Sequence, residues 1–316
     1  MTAAHSARMC DRWGPEISDL LVDYDPDTLA RRPVIKAAVL ARLRAEGRAR
    51  PVRIAAAIAE GAGGELDPDA VDGVLVRSHL ELQRLHEEFR VGAAMRLLLA
   101  PMLAVIRAST TERPIRVVDV GCGLGYILRW LAAAGALGDD VELIGTDYNA
   151  ALVRGASKLA AAEGLRCSFV TGNAFQLRER AHVFVSTGVL HHFRGADLVR
   201  LFAEHETSGA LGFVHVDIRP SWMAPIGSYV FHMARMREPV ARWDGYWSAV
   251  RAHSGSVLLR AIAEGAPGFS PAMFDAAPGL YGAVRIFQAV LGIRTPLTRD
   301  LRAAYAPLAR RIEASS

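Results

Sequence analysis

Apolar positions along the first third of the chain recur at helical spacing. Leu29 to Ala45 is an Ala/Leu/Arg stretch with that period, and Pro51 to Ala59 is a shorter one. Asp67 to Phe89 predicts a third helix, with an apolar stripe supplied by Val71, Val74, Val76, Leu80, Leu82, Leu85 and Phe89. Its start, Asp67-Pro68-Asp69, sets a capping residue before a proline suited to the first helical position, with acids in the turn that the helix dipole favours. Val91 to Ala108 predicts a further helix, kinked or restarted near Pro101.

The period then changes. Ile115 to Val120 is a β-branched run entering glycines, and similar runs recur at Val141–Gly145, Cys167–Thr171, His182–Ser186 and Leu211–Val216. Helical stretches lie between them at Tyr126–Ala134, Ala150–Ala162 and Gly195–Glu206. Strands alternating with helices of this length predict an α/β fold of the doubly wound type with a mostly parallel sheet. Beyond Val216 the pattern predicts helices over 222–238 and 242–264, split at Glu238-Pro239, then strands near Gly268–Phe274 and Val284–Leu291. Residues 299–316 read as a basic, Ala-rich helix or tail.

Composition narrows the classes. With 316 residues, 51% hydrophobic and 22% charged, the chain builds one large domain or a domain with an appendage, and is too apolar for disorder. Cys10, Cys122 and Cys167 are too few for a disulfide framework and lack metal-ligand spacing, so a cytoplasmic setting is expected. The formal charge of +4 resides in residues 285–316, where six arginines face only Asp300 and Glu313. Without a basic run elsewhere, no nucleic-acid partner is expected. The best membrane candidate, Val91 to Ile106, is interrupted by Arg96 and Pro101 and is short of a span, so no membrane partner is expected either.

The candidate chemistry lies where the first strand meets its helix. Asp119-Val-Gly121-Cys122-Gly123-Leu-Gly125 is a G-x-G-x-G turn, at which a ligand can approach backbone N–H groups at a helix N-terminus. It lacks the Lys-Ser/Thr of a phosphate-binding loop, and Asp119 would repel a pyrophosphate while attracting a ligand with an ammonium and a sulfonium. Asp147 ends the second strand, 26 residues past Gly121, where a carboxylate can accept hydrogen bonds from both ribose hydroxyls. The pair points to an adenosine ligand that carries positive charge. Taken singly, the glycines could be plain turn residues and Asp147 a helix cap before Ala150.

On these motifs the chain resembles class I S-adenosylmethionine-dependent methyltransferases. The resemblance rests on Val117–Gly125, Ile144-Gly-Thr-Asp-Tyr148, Thr171-Gly-Asn-Ala-Phe175 and Ser186-Thr-Gly-Val-Leu-His-His-Phe193, each following one of four successive strands. It implies a Rossmann-like, doubly wound seven-stranded sheet whose last strand, here Val284–Leu291, is antiparallel. It also implies a methyltransferase domain over residues 113–298 with a helical insert at 222–264, preceded by a helical region over 1–112. By this resemblance Asp119 and the backbone of Gly121, Cys122 and Gly123 hold the methionine end of S-adenosylmethionine, and Asp147 its ribose. Tyr148, Ala174 and Phe175 flank the adenine, and Thr187 lines the floor under the sulfonium. Asn173 stands where the family commonly has an acid, and its amide oxygen can still meet the adenine amine.

Methyl transfer from a sulfonium is an in-line displacement that needs alignment and exclusion of water; no metal is expected. The Asn-Pro-Pro-aromatic sequence that similar amino-methylating enzymes carry after the fourth strand is absent, and Ser186-Thr-Gly-Val stands in its place. This favours a small-molecule acceptor, with O-methylation ahead of N- or C-methylation. His191 is the candidate base, its proton affinity suited to a phenol or acid, while His192 either meets the substrate or packs against the following helix. A second constellation, Val216-Asp-Ile-Arg219-Pro-Ser221 with Arg242-Trp-Asp-Gly-Tyr246-Trp-Ser248 and Arg251-Ala-His253, resembles a subgroup of small-molecule methyltransferases. Arg219 and Arg242 either pair with Asp244 and Asp217 or clamp a substrate carboxylate, and Tyr246 belongs to an apolar wall that suits an aromatic acceptor or plain core.

Residues 1–112 carry 15 basic and 16 acidic groups, a poor balance for reading DNA. They are expected to form a lid, with Phe89 and Arg90 nearest the cofactor, that also supports a homodimer. Two rivals remain open: an enzyme that uses another bond of the same cofactor, by cyclisation or aminocarboxypropyl transfer, and a non-catalytic sensor or scaffold that binds it.

Overall fold

The β-branched runs become a seven-stranded sheet. A computed structural model describes residues 14–135, 137–275 and 286–313. The strands are β1 Ile115–Val120, β2 Val141–Asp147, β3 Ser168–Thr171, β4 Val183–Thr187, β5 Gly212–Ile218, β6 Phe269–Asp275 and β7 Phe287–Arg294. They lie in the order β3-β2-β1-β4-β5-β7-β6. Neighbours from β3 to β5 pair in parallel, and β7 runs antiparallel to both β5 and β6. The expected last strand is thus present but shifted toward the C-terminus, and Val284 and Arg285 lie outside the described residues. Because the strand order reverses between β1 and β4, their connections leave for opposite faces and a crevice opens at their carboxyl ends.

Each face of the sheet has its own apolar core. On one face Met95, Leu99, Met102, Leu103 and Ile106 of the helix Val91–Ser109 pack with Leu128 and Leu131 on Val117, Val185 and Val214. On the other, Leu198, Leu201 and Phe202 of the helix Ala196–Thr207 and Leu258 and Ile262 of the helix Gly255–Gly265 cover Val118, Phe184 and Phe213. Val91–Ser109 is one helix with Pro101 inside it, where the sequence suggests a kink or a restart; it does not restart. By length and composition alone this helix could cross a membrane, but its buried residues belong to the sheet core.

The chain divides into two compact units: one of residues 84–219 and 252–316, which holds the sheet, and one of residues 1–83 and 220–251. The division therefore follows Gln83 and not residue 112, because Val91–Ser109 is a core helix of the sheet. The stretch expected as one insert is likewise shared. It forms three helices, of which Ala224–Arg235 and Pro239–Arg251 join the N-terminal residues and Gly255–Gly265 joins the sheet.

Within the helical unit, the Glu81 carboxylate accepts the backbone N–H groups of Arg237 (2.9 Å) and Glu238 (3.0 Å), fastening the connection between those two helices. Asp244 accepts the N–H groups of Ile17 (2.6 Å) and Ser18 (3.0 Å). Arg251 pairs with Asp19 at 2.5 Å and Glu16 at 3.6 Å, and Ser248 donates to Glu16 at 3.0 Å. The Asp-Gly-x-x-Ser-x-x-Arg pattern is thus the seat of the short helix Ile17–Leu21.

Candidate active site at the carboxyl ends of the strands

After β1 the chain turns through Gly121 (φ 70°) and Gly123 (φ 55°), in the left-handed region that glycine enters without strain. The turn is drawn onto β2. Gly121 and Cys122 both donate their N–H groups to the Thr146 carbonyl, at 2.8 and 3.0 Å, and Gly123 donates to Asp147 Oδ2 at 2.9 Å. This corrects the expectation of N–H groups turned toward a ligand, since all three donors are spent inside the fold. With those N–H groups spent the turn suits a cation better than a phosphate, and of its carbonyls that of Cys122 accepts the Gly125 N–H at 2.8 Å and that of Gly123 the Cys122 thiol at 3.8 Å.

Asp119 completes that polarity. It is 3% exposed, and no donor among the described residues reaches its carboxylate. Burial, and secondarily the charge of Asp147, push its pKa up to about 8. Burial together with both acids also pushes the Cys122 thiol well up, so it is a poor nucleophile. Asp147 is buried at the end of β2, where its second oxygen accepts the N–H of Asn149 at 2.9 Å. Asn149, not Asp147, caps the helix Ala150–Ala162, accepting from Ala151 and Leu152.

The remaining candidates follow the strand ends. Tyr148 is 45% exposed beside Asp147. Asn173 turns its own loop, its Oδ1 accepting the Phe175 N–H at 2.9 Å, so the amide oxygen expected to face adenine already holds a backbone donor. Ala174 and Phe175 pack on the sheet, Phe175 edge-on to Phe193 with the Arg200 guanidinium over its ring. At the end of β4 the Thr187 hydroxyl is buried without a hydrogen-bond partner, and next to it Gly188 faces open space. An unsatisfied buried hydroxyl costs about 1–3 kcal/mol and marks a place where a bound polar group would be met.

His191 and His192 follow in a short 3-10 turn, their rings 4.4 Å apart. His191 is buried, and its Nδ1 shares a 2.8 Å hydrogen bond with Oδ1 of Asp217 at the end of β5. Asp217 Oδ2 accepts the His191 backbone N–H at 3.0 Å, and Oδ1 that of Ile218 at 2.6 Å. Burial would raise the Asp217 pKa, but the His191 ring and these N–H groups outweigh it and hold the carboxyl below its usual range. Asp217 was singled out above only as an arginine partner. The signal that could have found its role is a pair of polar residues, His215 and Asp217, in the otherwise apolar strand Gly212–Ile218.

His215 belongs to a separate buried chain, from Ser186 Oγ to His215 Nδ1 at 2.8 Å and from His215 Nε2 to His205 Nε2 at 2.9 Å. Burial pulls the His215 pKa down to about 3 and that of His205 well below its usual value, so both are neutral. Phe89 rests edge-on against Phe287 of β7, and Arg90 starts the helix Val91–Ser109 in a left-handed conformation. Arg219 donates its backbone N–H to the Ile286 carbonyl at 2.8 Å. Arg242 and Tyr246 belong to the helical unit, where the arginine holds the Met236 carbonyl and the tyrosine ring meets Tyr229, Trp243 and Trp247.

The donor set fits a cationic nucleoside: a buried acid that no donor among the described residues reaches, a turn whose N–H groups are spent, a carboxylate at the neighbouring strand end and an orphan hydroxyl. Residues 117–208 match the family model described as "Methyltransferase domain". Among solved structures, the plantazolicin methyltransferase BpumL in complex with a monoazolic desmethylPZN analog and SAH is similar at 12% identity. It covers 82% of this chain and 98% of that one, with a TM-score of 0.51. A second structure of BpumL, in complex with SAH, matches at 11% identity over the same shares, also with a TM-score of 0.51. Magnesium protoporphyrin IX methyltransferase (ChlM) from Synechocystis PCC 6803 with bound SAH matches at 17% identity, 82% of this chain and 100% of that one, with a TM-score of 0.44. No curated protein matches the chain by sequence.

Proposed function

We propose that the protein, whose residues 117–208 match a methyltransferase domain model, is a class I, S-adenosylmethionine-dependent enzyme that methylates an oxygen of a small, hydrophobic or aromatic metabolite. When bound, S-adenosylmethionine supplies an activated methyl group on a sulfonium. Asp119 and the backbone of Gly121 to Gly123 would hold its ammonium end, Asp147 its ribose, and Tyr148, Asn173, Ala174 and Phe175 its adenine. Thr187 sits beneath the reacting end. The observation that carries the oxygen reading is His191, a buried imidazole at the carboxyl end of β4. An amine can be methylated from its neutral form without help, whereas a phenol or acid at neutral pH gains from a base in its pocket.

The test has two steps. Calorimetric titration with S-adenosylmethionine and S-adenosylhomocysteine should show binding of both. Incubation with methyl-labelled S-adenosylmethionine and a panel of phenols, carboxylic acids and amines should then place label on oxygen and release S-adenosylhomocysteine. Methylthioadenosine as the by-product, or binding without turnover of any acceptor, would sink the proposal.

A further inference from the structure

The helix Ala224–Arg235 of the helical unit has two unlike faces. Its inner face is fixed on the helix Pro239–Arg251: Ser228 Oγ donates to the Gly245 carbonyl at 2.5 Å, buried His232 sets its Nδ1 against the Ala241 carbonyl at 2.9 Å, and the Tyr229 ring stands edge-on to Trp243 and Tyr246. Gly245 makes the close approach possible, since a Cβ there would come within 2.1 Å of the His232 ring. The outer face is apolar and open. Trp222, Ile226 and Val230 follow one another at four-residue spacing, 81%, 59% and 60% exposed, with Met223 beside them at 59%. Gly227 between them faces open space. Among the described residues seven large apolar side chains are exposed, and these four fall within nine residues of chain, so they form a patch and not a scatter.

The surroundings of the patch are basic. The helix itself holds no acid, and Arg237 just beyond its end is exposed. On its flank the Arg50 guanidinium donates to the Tyr229 hydroxyl at 3.2 Å, and Arg53, one turn further along the helix Ala49–Ala56, is exposed as well. Among the described residues neither Arg50 nor Arg53 pairs with an acid, while Glu238, the first acid after the helix, is taken by Arg77 at 2.8 Å. A small molecule asks for a concave pocket, whereas these side chains stand out from a single helix. A second copy asks for about 800 Å² per partner, and the four side chains present roughly 500 Å². An anionic lipid surface asks for apolar side chains that enter the acyl boundary, a tryptophan at the interface and arginines at the height of the headgroups.

We propose that this face lies on membranes that carry anionic lipid, with Trp222, Met223, Ile226 and Val230 entering the interface and Arg50, Arg53 and Arg237 meeting the headgroups. The sequence expectation of no membrane partner rested on the lack of a span, and a helix lying in the plane of the surface needs none. The inference is independent of the methyl-transfer reading.

The test is sedimentation of the full-length protein with vesicles of phosphatidylcholine alone and of phosphatidylcholine mixed equally with phosphatidylglycerol. The native protein should pellet with the mixed vesicles, stay in solution with the neutral ones, and be released by salt, which screens the arginines. Tryptophan emission should shift to the blue on the mixed vesicles, and Trp222→Phe should lose most of that shift. The pair Ile226→Asp/Val230→Asp should lower partitioning by about 100-fold, and Arg50→Gln/Arg53→Gln by about 10- to 30-fold. Both pairs should keep the native melting temperature, because the side chains they replace are exposed. A native protein that stays in solution with both vesicles, equal pelleting with both, or an aspartate pair that pellets like the native chain would overturn the inference. So would a native dimer in light scattering that the aspartate pair splits, since the face would then belong to a second copy. Calorimetric titration with S-adenosylhomocysteine, which none of these variants should alter, keeps a failure here distinct from a failure of the methyltransferase reading.

Discussion

Asp119 and Asp244 are both buried acids whose pKa values burial raises, yet their surroundings differ in kind. In the helical unit, Asp244 accepts two backbone N–H groups, and the Arg251 guanidinium that pairs with Glu16 and Asp19 is close by. Its desolvation is answered from within the protein, and the acid organises the seat of Ile17–Leu21. At the end of β1, Asp119 faces no donor among the described residues. Its neighbours are a second acid and a turn whose N–H groups are already taken. An acid that the fold leaves unanswered is a place for a cation to bind, and its cost to the empty protein is repaid only on binding.

Substitution should separate the two most sharply. Asp119→Ala is expected to weaken S-adenosylmethionine binding by about 100-fold, the scale of a lost charge-assisted contact, while leaving the melting temperature unchanged or higher. Equal calorimetric affinity in native and variant protein would erase the contrast. Asp244→Ala should do the reverse, removing about 2–4 kcal/mol of stability in denaturant titration and sparing cofactor affinity. A stable variant would show that Asp244 is not the organising acid.

The smallest effect is in pH. Both folded-state pKa values are raised, so above the unfolded value near 4 the folded chain holds protons that the unfolded chain has lost, and each step up in pH costs stability. The buried histidines 182, 205, 215, 232 and 253 are pulled down and act below about pH 6.5, where the unfolded chain takes protons that the folded one refuses. Between pH 6.5 and 8 these acids, and not those histidines, set the slope. The melting temperature of the ligand-free protein should fall across this window, and Asp119→Asn should flatten part of the slope. Affinity for the cationic cofactor should rise across the same window as Asp119 ionises; an affinity independent of pH would mean that its charge is not what the ligand meets.

What could be read ahead of the structure was what lies close along the chain. Asp119, Gly121 and Gly123 share one strand-to-turn junction, and the β-branched runs with helices between them imply the doubly wound sheet. The Asp67 cap is equally local, its Oδ1 accepting the Ala70 N–H at 2.7 Å. The sequence does not tell which way a peptide faces, so it could not show Thr146 taking the donors of the turn. Nor does it carry register. The partnership of His191 with Asp217 depends on β4 and β5 being paired with Thr187 opposite Val216. The division after Gln83 was hidden for a similar reason, since it hangs on Glu81 meeting Arg237 far along the chain.

The helical unit is made from two separated stretches of chain, and this bears on how it is born. Residues 14–83 emerge from the ribosome well before 220–251, with the stretch from 84 to 219 in between. At roughly 5–20 residues per second that delay is on the order of ten seconds, long compared with the folding of a helix pair. Throughout it Glu16 and Asp19 lack Arg251, and Ile17 and Ser18 lack the carboxylate that receives them. The N-terminal helices must wait, unfinished, while the sheet that follows them in the chain can already form β1 to β5.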